Sequence, residues 1–420
     1  MQILDKINSA VWGSATVFIL LFTGILYTFR LRLIQLKLPI FLAKQKKTNN
    51  KGLSQFKTVC MSLGTAMGTG NITGVAAALA LGGAGAVFWM WVSAFLGMAL
   101  VCGENILSVR FSGKDCRGPM AYLEKGLGCR KLALFFAFMC MLVSFGMGGM
   151  VQVSAFSDSL RSCCDISPVF ICIAAFLLIS TVILGGAERI GSAAQLLLPA
   201  VTALFVIGCF AVIFTHIRFV PRAFASIFTE AFGFRQAAGG ISGTALAVGI
   251  RRGIFSNEAG LGSSPLLHSA AESDSPETQG MWSMFEVFFD TVICCTLTAV
   301  TILCSAEDMS VNTAFSSVFG NGSAYVIAAE MAVFAFCTII GWYYCGETAF
   351  AYFSSKGNKR LFALAFAVFA SFGAVIPVHA VWTLSDIFNA LMAFPNLLAL
   401  LLLNKKAVVH CKRQPIVRKR

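Results

Sequence analysis

The sequence has 420 residues, of which 57% are hydrophobic and only 12% are charged, whereas soluble domains carry about 25% charged residues. This composition excludes an ordinary soluble protein and predicts a polytopic membrane protein that forms one helical bundle. The net charge of +13 does not indicate nucleic-acid binding, because the basic residues cluster between apolar segments, as membrane topology requires.

Eleven apolar segments are each long enough to cross a bilayer as a helix. They cover approximately residues 11–29, 57–81, 84–109, 131–157, 168–187, 192–215, 237–270, 280–304, 323–352, 361–377 and 380–403. Because they are long and continuous rather than short and alternating, a transmembrane β-barrel is excluded. The sequence therefore predicts an all-α membrane protein with about eleven transmembrane helices. We expect an additional helix and a basic loop over 1–56, and a basic tail over 404–420.

The distribution of Lys and Arg predicts the orientation. If the amino terminus lies outside the cell, 25 Lys and Arg residues fall in cytoplasmic segments and five fall in outer segments. Such an excess is typical of cytoplasmic loops. We therefore expect a multi-pass protein of the plasma membrane, the inner membrane of a bacterium or archaeon, with its carboxyl terminus in the cytoplasm.

Glycine-rich stretches interrupt two of the predicted spans. The stretch GTAMGTGNITG, residues 64–74, contains four glycines, each of which costs about 1 kcal/mol relative to Ala in a helix interior. A second stretch, GIRRGIFSNEAGLG, covers residues 249–262. With the first span set aside, the two stretches occupy corresponding positions in two five-helix halves of opposite topology, 57–215 and 237–403. This pattern indicates the binding site of a transporter.

An interrupted membrane helix frees backbone amides and carbonyls, which are tolerated only where they are buried in protein or line a cavity. Freed amides suit a carboxylate and freed carbonyls suit a cation, so the ligand is expected to carry both charges, as an amino acid does. Close helix packing is the alternative, since Gly70 and Gly74 form a GxxxG pair. The polar residues interleaved with the glycines and the matching second stretch favour a binding site.

Five sequence blocks carry a family resemblance. They are GTGNITGVA (68–76), GGAGAVFWMWVSAFLGMA (82–99), RGIFSNEAGLGSSP (252–265), GWYYCGE (341–347) and DIFNALMAFPNLLAL (386–400). In this order they resemble the alanine or glycine:cation symporter family. The resemblance implies a LeuT-like fold of five plus five inverted-repeat helices preceded by one extra helix. It also implies symport of small neutral amino acids (alanine, glycine and, as a further candidate, serine) with sodium, and no enzymatic activity.

The resemblance also implies binding residues at matching positions. Those expected to bind the substrate lie in the two interruptions and in two other helices: Gly68, Thr69, Gly70, Asn71, Gln152, Phe255, Ser256, Asn257, Thr338 and Trp342. A sodium site would use carbonyls before the first interruption together with a helix of the second half: Gly64, Met67, Phe334, Cys337 and Thr338. Cys337 stands where the family often has Ser. Because sulfur is a soft ligand and sodium is a hard ion, this difference predicts weak sodium binding.

Acidic residues inside the spans leave proton coupling open as an alternative. Glu286 and Asp290 are four residues apart and share one helix face, and Glu330 lies in the following span. Arg251, Arg252 and Glu258 flank the second interruption. We expect that Arg251 or Arg252 pairs with Glu258, because charges within membranes normally pair with one another, or that these groups lie near a water-filled end.

Two other classes of function are considered. A channel would also need glycine breaks and a polar lining, but it would conduct rather than accumulate its ligand. An intramembrane enzyme has no support, since neither HExxH nor GxSxG occurs. The 15 cysteines show no metal-ligand spacing with His. The expected partners are therefore an amino acid, sodium or a proton, and the bilayer, with no other cofactor and no nucleic acid.

Overall fold

The computed structural model describes residues 2–44, 54–113, 116–232, 241–271, 275–305, 308–354, 357–376 and 378–413. Throughout these residues the regular secondary structure is helical and no strand occurs. The described part of the chain thus confirms the all-α prediction. Parts of four predicted segments lie outside the described residues, namely 1 and 45–53 of the N-terminal segment, 237–240 of one span, 377 of another and 414–420 of the tail.

The helices follow one another with short connections. We label the α-helices in chain order as Gln2–Val11 (α1), Ser14–Arg30 (α2), Leu38–Ala43 (α3), Gln55–Ala66 (α4), Thr73–Gly82 (α5), Gly85–Phe111 (α6), Gly118–Ala121 (α7), Arg130–Arg161 (α8), Pro168–Ile183 (α9), Gly186–Thr215 (α10), Val220–Ala231 (α11), Ile241–Asn257 (α12), Ser263–His268 (α13), Pro276–Ser305 (α14), Val311–Phe319 (α15), Ser323–Phe353 (α16), Lys359–Phe372 (α17) and Val378–Arg413 (α18). Two of them contain a π-helical segment, Ser144–Met150 in α8 and Phe288–Cys295 in α14.

Hydropathy and surface composition identify a multi-pass membrane protein. Among the described residues, six helical stretches are long and apolar enough to span a bilayer: Gly85–Phe111, Arg130–Arg161, Gly186–Thr215, Pro276–Ser305, Val311–Phe353 and Val381–Val408. Ala15–Arg30 and Ile34–Ala43, bent by 57°, form a seventh if they are one span. Large apolar side chains are exposed on the outer surface, for example Phe18 (67%) and Leu196 (74%), as expected of helices that face lipid.

The other predicted spans coincide with shorter or interrupted helices. The span predicted over 168–187 contains the apolar helix α9, and that over 361–377 contains α17. The spans predicted over 57–81 and 237–270 are each divided in two. The total of eleven transmembrane helices therefore stays a prediction.

The first interruption separates α4 from α5. Helix α4 begins at Ser54, whose side chain accepts a hydrogen bond from the Lys57 backbone N–H and so caps the helix. It ends at Met67, where φ is −75° and ψ is 75° and the Gly68 N–H donates to the Ala66 carbonyl. This is the geometry of an inverse γ-turn. The chain then forms one 3₁₀ turn, Thr69–Asn71, before α5 begins.

The second interruption separates α12 from α13. Three residues there have positive φ, namely Glu258 at 53°, Gly260 at 88° and Gly262 at 88°. Glycine adopts this left-handed backbone conformation with little loss of free energy, because glycine has no Cβ. The glycines of this block thus allow the chain to leave one helix and enter the next within five residues, and Glu258 is the one residue in the turn that adopts positive φ with a side chain.

Helix α6 holds the second interruption in place by packing along α12 and α14. Glycines allow this close approach, because a Cβ added at Gly249 would lie 2.7 Å from the Trp89 Cβ, and one at Gly253 would lie 2.7 Å from the Ser93 hydroxyl. The packing role of small residues in membrane helices thus applies to these two glycines.

Candidate functional site

A cavity of about 520 Å³ lies where the two interrupted helices meet. Its wall comes from the first interruption, from α8, from α12 and the turn after it, and from α16 and α18. Eight of the ten predicted substrate residues line it: Gly68, Thr69, Gly70, Gln152, Phe255, Ser256, Thr338 and Trp342. The size and the mixture of aromatic and polar groups suit a small organic ligand.

Hydrogen bonds join the first interruption to two other helices. The Thr338 hydroxyl donates to the Gly64 carbonyl at 2.9 Å. That carbonyl is available because Gly68, its usual helical partner, donates to Ala66 instead. On the opposite side, the Thr69 hydroxyl donates to the Gln152 side-chain oxygen at 3.1 Å. The interruption is therefore held between α8 and α16 at the cavity wall.

The glycines of the first interruption divide into two groups. A Cβ at Gly64 would lie 3.3 Å from the Cys337 Cβ, and one at Gly68 would lie 2.7 Å from the Thr338 hydroxyl oxygen. At Gly70 and Gly74 no atom lies within 4 Å of an added Cβ. The GxxxG pair therefore makes no helix–helix contact in the described structure, and both glycines face open space in the cavity.

Polar side chains from the first interruption, from the end of α12 and from α14 itself converge on Asp290 of α14. Asn71 donates to one carboxylate oxygen at 2.7 Å, while Ser256 donates to the other at 2.6 Å and Thr291 at 3.0 Å. We call Asn71, Ser256, Asp290 and Thr291 the oxygen cluster. Asn71, a predicted substrate residue, thus contacts Asp290 and does not line the cavity, and Asn257 donates to Thr291 at 3.4 Å.

Aromatic side chains cover one side of the cavity. Trp342 is completely buried and Phe255 is partly buried. The Phe255 ring centroid lies 4.7 Å from that of Trp12, which comes from the N-terminal segment. Trp12 donates its indole N–H to the Asp386 carbonyl at 2.8 Å, and its own carbonyl accepts from Arg251 at 2.7 Å. The N-terminal segment therefore supports the aromatic side of the cavity from behind.

The predicted sodium ligands are near one another but are not all at the cavity surface. Thr338 lines the cavity, and the carbonyl of Gly64 accepts its hydrogen bond. Met67, Phe334 and Cys337 are buried behind the wall. No group of three or more His, Cys, Asp or Glu side chains suited to a metal ion occurs in the described part of the chain, so any ion there would depend on carbonyl and hydroxyl oxygens.

The buried acids on α14 and α16 differ in their partners. Glu286 accepts from Ser62 at 2.6 Å and lies 2.9 Å from the His268 ring nitrogen. The other ring nitrogen of His268 lies 2.7 Å from Gln279, which bonds to Gln55 at the start of α4. By contrast, one carboxylate oxygen of the buried Glu330 has no hydrogen-bond partner among the described residues.

The expectation that Arg251 or Arg252 pairs with Glu258 was wrong. In the described structure Arg251 bonds to the Trp12 carbonyl, and the ion pairs formed there do not include Glu258. Glu258 accepts from Ser263 and Trp342 instead. The physical reason is that the arginines belong to the last turns of α12, whereas Glu258 lies in the sharp turn after that helix. Their side chains therefore do not share one helix face.

Several residues at the cavity were not predicted from the sequence. Glu258, Asp386, Met90 and Trp382 line it, and Trp12 supports it. The intramembrane charge of Glu258 was a sequence signal, although it was interpreted as one half of an ion pair. For Trp12 and Asp386, which are 374 residues apart in sequence, no local pattern points to a shared site.

Comparison with known proteins identifies the family to which the chain belongs. The model described as the sodium:alanine symporter family matches residues 1–415. An uncharacterized transporter of Haemophilus influenzae is 38% identical over 434 residues, covering 98% of this chain and 95% of the relative. The sodium/alanine symporter AgcS of Methanococcus maripaludis is 35% identical over 444 residues, covering 100% of this chain and 98% of the relative. A Bacillus subtilis protein named "Probable sodium/glutamine symporter GlnT" is 37% identical over 428 residues, covering 96% and 89%. The match spans nearly the whole chain, as the five sequence blocks predicted, and the protein therefore belongs to the sodium:alanine symporter family.

Proposed function

We propose that the protein is a secondary active symporter that imports small neutral amino acids, such as alanine and glycine, together with sodium. The observation that carries this proposal is the cavity formed jointly by the two interrupted helices, which is lined by polar groups and by the aromatic residues Phe255 and Trp342. We further propose the LeuT-like arrangement of two inverted five-helix repeats, in which such a cavity lies between the repeats. The role is transport, with no chemical conversion of the ligand.

The first interruption supplies the groups that would bind the substrate carboxylate. The first N–H groups of a 3₁₀ turn have no partner within the turn, and the turn Thr69–Asn71 begins at the cavity wall. Gln152 and Thr338 add an amide and a hydroxyl from neighbouring helices. The aromatic pair Phe255 and Trp342 would then face the substrate side chain and limit its size.

The oxygen cluster is the better candidate for the sodium site. Sodium prefers hard oxygen ligands, by the same rule that assigns oxygen to magnesium and calcium. The cluster brings together the buried Asp290 carboxylate, the Ser256 hydroxyl 2.6 Å from it, and the Asn71 side-chain oxygen 3.3 Å from that hydroxyl. Asn71 belongs to the first interruption, and Ser256 lies at the end of α12, just before the second. An ion bound there would stabilise the two interruptions in one arrangement, and this couples ion binding to the shape of the cavity. A second ion near Gly64, Met67, Phe334, Cys337 and Thr338 remains part of the proposal.

Proton coupling is the second candidate, and one arrangement favours it. The buried Glu286 is connected through His268 and Gln279 to Gln55, which directly follows the cap residue of α4. His268 and Glu286 can each take up and release a proton, so this pair could hold a transported proton, and the two glutamines fix the orientation of the His268 ring. A channel has no comparable support.

Uptake of radiolabelled alanine into proteoliposomes tests the proposal, with sodium and proton gradients imposed separately. We expect saturable accumulation that follows the inward sodium gradient. Accumulation driven by the proton gradient alone would favour the second candidate. Conductance without saturable accumulation would contradict symport altogether.

The aromatic side predicts selectivity by size. We expect glycine and serine to compete with alanine, and leucine and phenylalanine not to compete, because each extra methylene against an apolar wall changes discrimination by about 1–3 kcal/mol. Phe255→Ala or Trp342→Ala should admit the larger substrates. Competitive uptake assays measure this, with Phe350→Ala as the control, since Phe350 packs on Phe362 away from the cavity. Equal competition by leucine in the unmodified protein would contradict this assignment, and competition by glutamine would indicate a larger pocket.

Cys337 and Thr338 predict opposite changes in sodium activation. Thr338→Ala removes the hydroxyl that bonds to Gly64, and we expect sodium stimulation to be lost. Cys337→Ser replaces sulfur with oxygen and should lower the sodium concentration for half-maximal uptake. Titration of sodium at fixed pH measures both, with Cys209→Ser as a control for a buried cysteine on another helix. Unchanged activation in both variants would remove this pair from the ion site.

A further inference from the structure

Glu258 combines features that a purely structural residue seldom has. It adopts a left-handed backbone conformation, with φ of 53°, which is unfavourable for a residue with a side chain and often marks a functional site. Only 5% of its surface is exposed, and it is one of the residues that line the cavity. Glu258 therefore borders the proposed substrate site.

The partners of Glu258 are neutral. The Trp342 indole N–H donates to one carboxylate oxygen at 3.2 Å, and the Ser263 hydroxyl donates to the other at 2.5 Å. A carboxylate has about four acceptor positions, so these two hydrogen bonds leave acceptor positions of Glu258 free for another donor. Arg251 and Arg252 line the same cavity, but no Lys, Arg or His forms an ion pair with Glu258 in the described part of the structure. A buried carboxylate is costly unless it pairs with a cation or takes up a proton, and the cavity is a place from which a cation can come.

The chemistry of these neighbours distinguishes between two possible cations. A sodium ion needs several oxygen ligands, which the oxygen cluster around Asp290 offers. Beside Glu258 the indole of Trp342 has only an N–H donor and cannot bind a metal ion. An ammonium group has three N–H donors, so fewer acceptor oxygens satisfy it than a sodium ion requires. The groups around Glu258 thus suit an ammonium group better than sodium.

We propose that Glu258 binds the α-ammonium group of the transported amino acid, an inference that rests on the proposed function. Trp342 then has two roles, since its ring limits the substrate side chain while its N–H orients the carboxylate. The first interruption would hold the substrate carboxylate across the cavity. Molecules that lack the ammonium group are excluded, because binding them would leave the Glu258 charge unpaired.

The experiment uses the full chain in nanodiscs and three separate measurements. These are alanine affinity at saturating sodium, thermal stabilisation by sodium alone, and competition by lactate, which replaces the ammonium group with a hydroxyl. In the unmodified protein we expect lactate to compete at least a hundredfold more weakly than alanine. Glu258→Gln should weaken alanine binding by a similar factor and leave the response to sodium alone unchanged. Glu347→Gln is the matched control on the helix of Trp342, because Glu347 pairs with Lys359 instead.

Any other outcome contradicts the inference. If lactate competes effectively in the unmodified protein, the inference is wrong, and this test needs no variant. It therefore still applies if Glu258→Gln fails to fold. A Glu258→Gln variant that binds alanine normally but no longer responds to sodium would make Glu258 an ion ligand. If the unmodified protein binds no amino acid, the proposed function fails as well. The two failures are thereby distinguished.

Discussion

Gly68→Ala is expected to abolish most amino-acid uptake. The added methyl group would lie 2.7 Å from the Thr338 hydroxyl oxygen and 3.1 Å from the Gln152 side-chain oxygen. Neither group can retreat without cost, because Thr338 is bonded to Gly64 and Gln152 to Thr69. A displacement of about 1 Å in a positioned site lowers a rate roughly a hundredfold, and initial uptake rates at saturating alanine should fall by that order.

Gly322→Ala is the control for this prediction. An added methyl group there meets no atom within 4 Å, the backbone φ is −68°, and Gly322 does not line the cavity, so uptake should stay close to that of the unmodified protein. Comparable losses in both variants would point to a general defect in folding or insertion. Normal uptake by Gly68→Ala would contradict the proposed position of the substrate beside Thr338 and Gln152.

Asp290→Asn is expected to weaken the activation of uptake by sodium. The substitution keeps the size of the side chain but removes the charge on which Asn71, Ser256 and Thr291 converge. Hydrogen bonds to charged groups contribute about 1.5–3 kcal/mol each, and about 1.4 kcal/mol corresponds to tenfold in affinity. The sodium concentration for half-maximal uptake should therefore rise roughly ten- to a hundredfold, as measured by sodium titration at fixed alanine and pH.

Asp158→Asn provides the comparison, because Asp158 is an exposed acid at the end of α8. It should leave the sodium titration unchanged. If Asp290→Asn also titrates normally while Glu286→Gln loses dependence on a proton gradient, the coupling ion is a proton and the pair of His268 and Glu286 holds it. If each of the two variants loses both the sodium dependence and the proton dependence of uptake while its thermal stability stays normal, Asp290 and Glu286 act together in coupling.

The sequence predicted those features that depend on residues close together in the chain. Long apolar segments predicted an all-helical membrane protein, and the glycine-rich stretches predicted where two helices are interrupted, since a glycine's conformational freedom and the cost of bare backbone in lipid depend on nearby residues only. The second interruption begins at Glu258, near the end of the predicted stretch 249–262. Its first two glycines, Gly249 and Gly253, instead allow close packing with α6.

Contacts between distant parts of the chain could not be predicted in the same way. The pairing of Glu286 with His268 and the convergence of Asn71 on Asp290 depend on how helices rotate about their axes. Arg251 was expected to pair with the nearest acid in sequence, and it bonds instead to a carbonyl 239 residues away. A neighbour in sequence is therefore a poor guide to a charge partner when the chain turns sharply between the two residues.

The position of Trp12 ties the N-terminal segment to the cavity. One of its hydrogen bonds leads to Arg251 of α12 and the other to Asp386 of α18, so a single residue connects two walls of the cavity. If these walls separate, either one of the two bonds breaks or the N-terminal segment moves with one wall. A change in the width of the cavity between α12 and α18 would therefore involve the N-terminal segment.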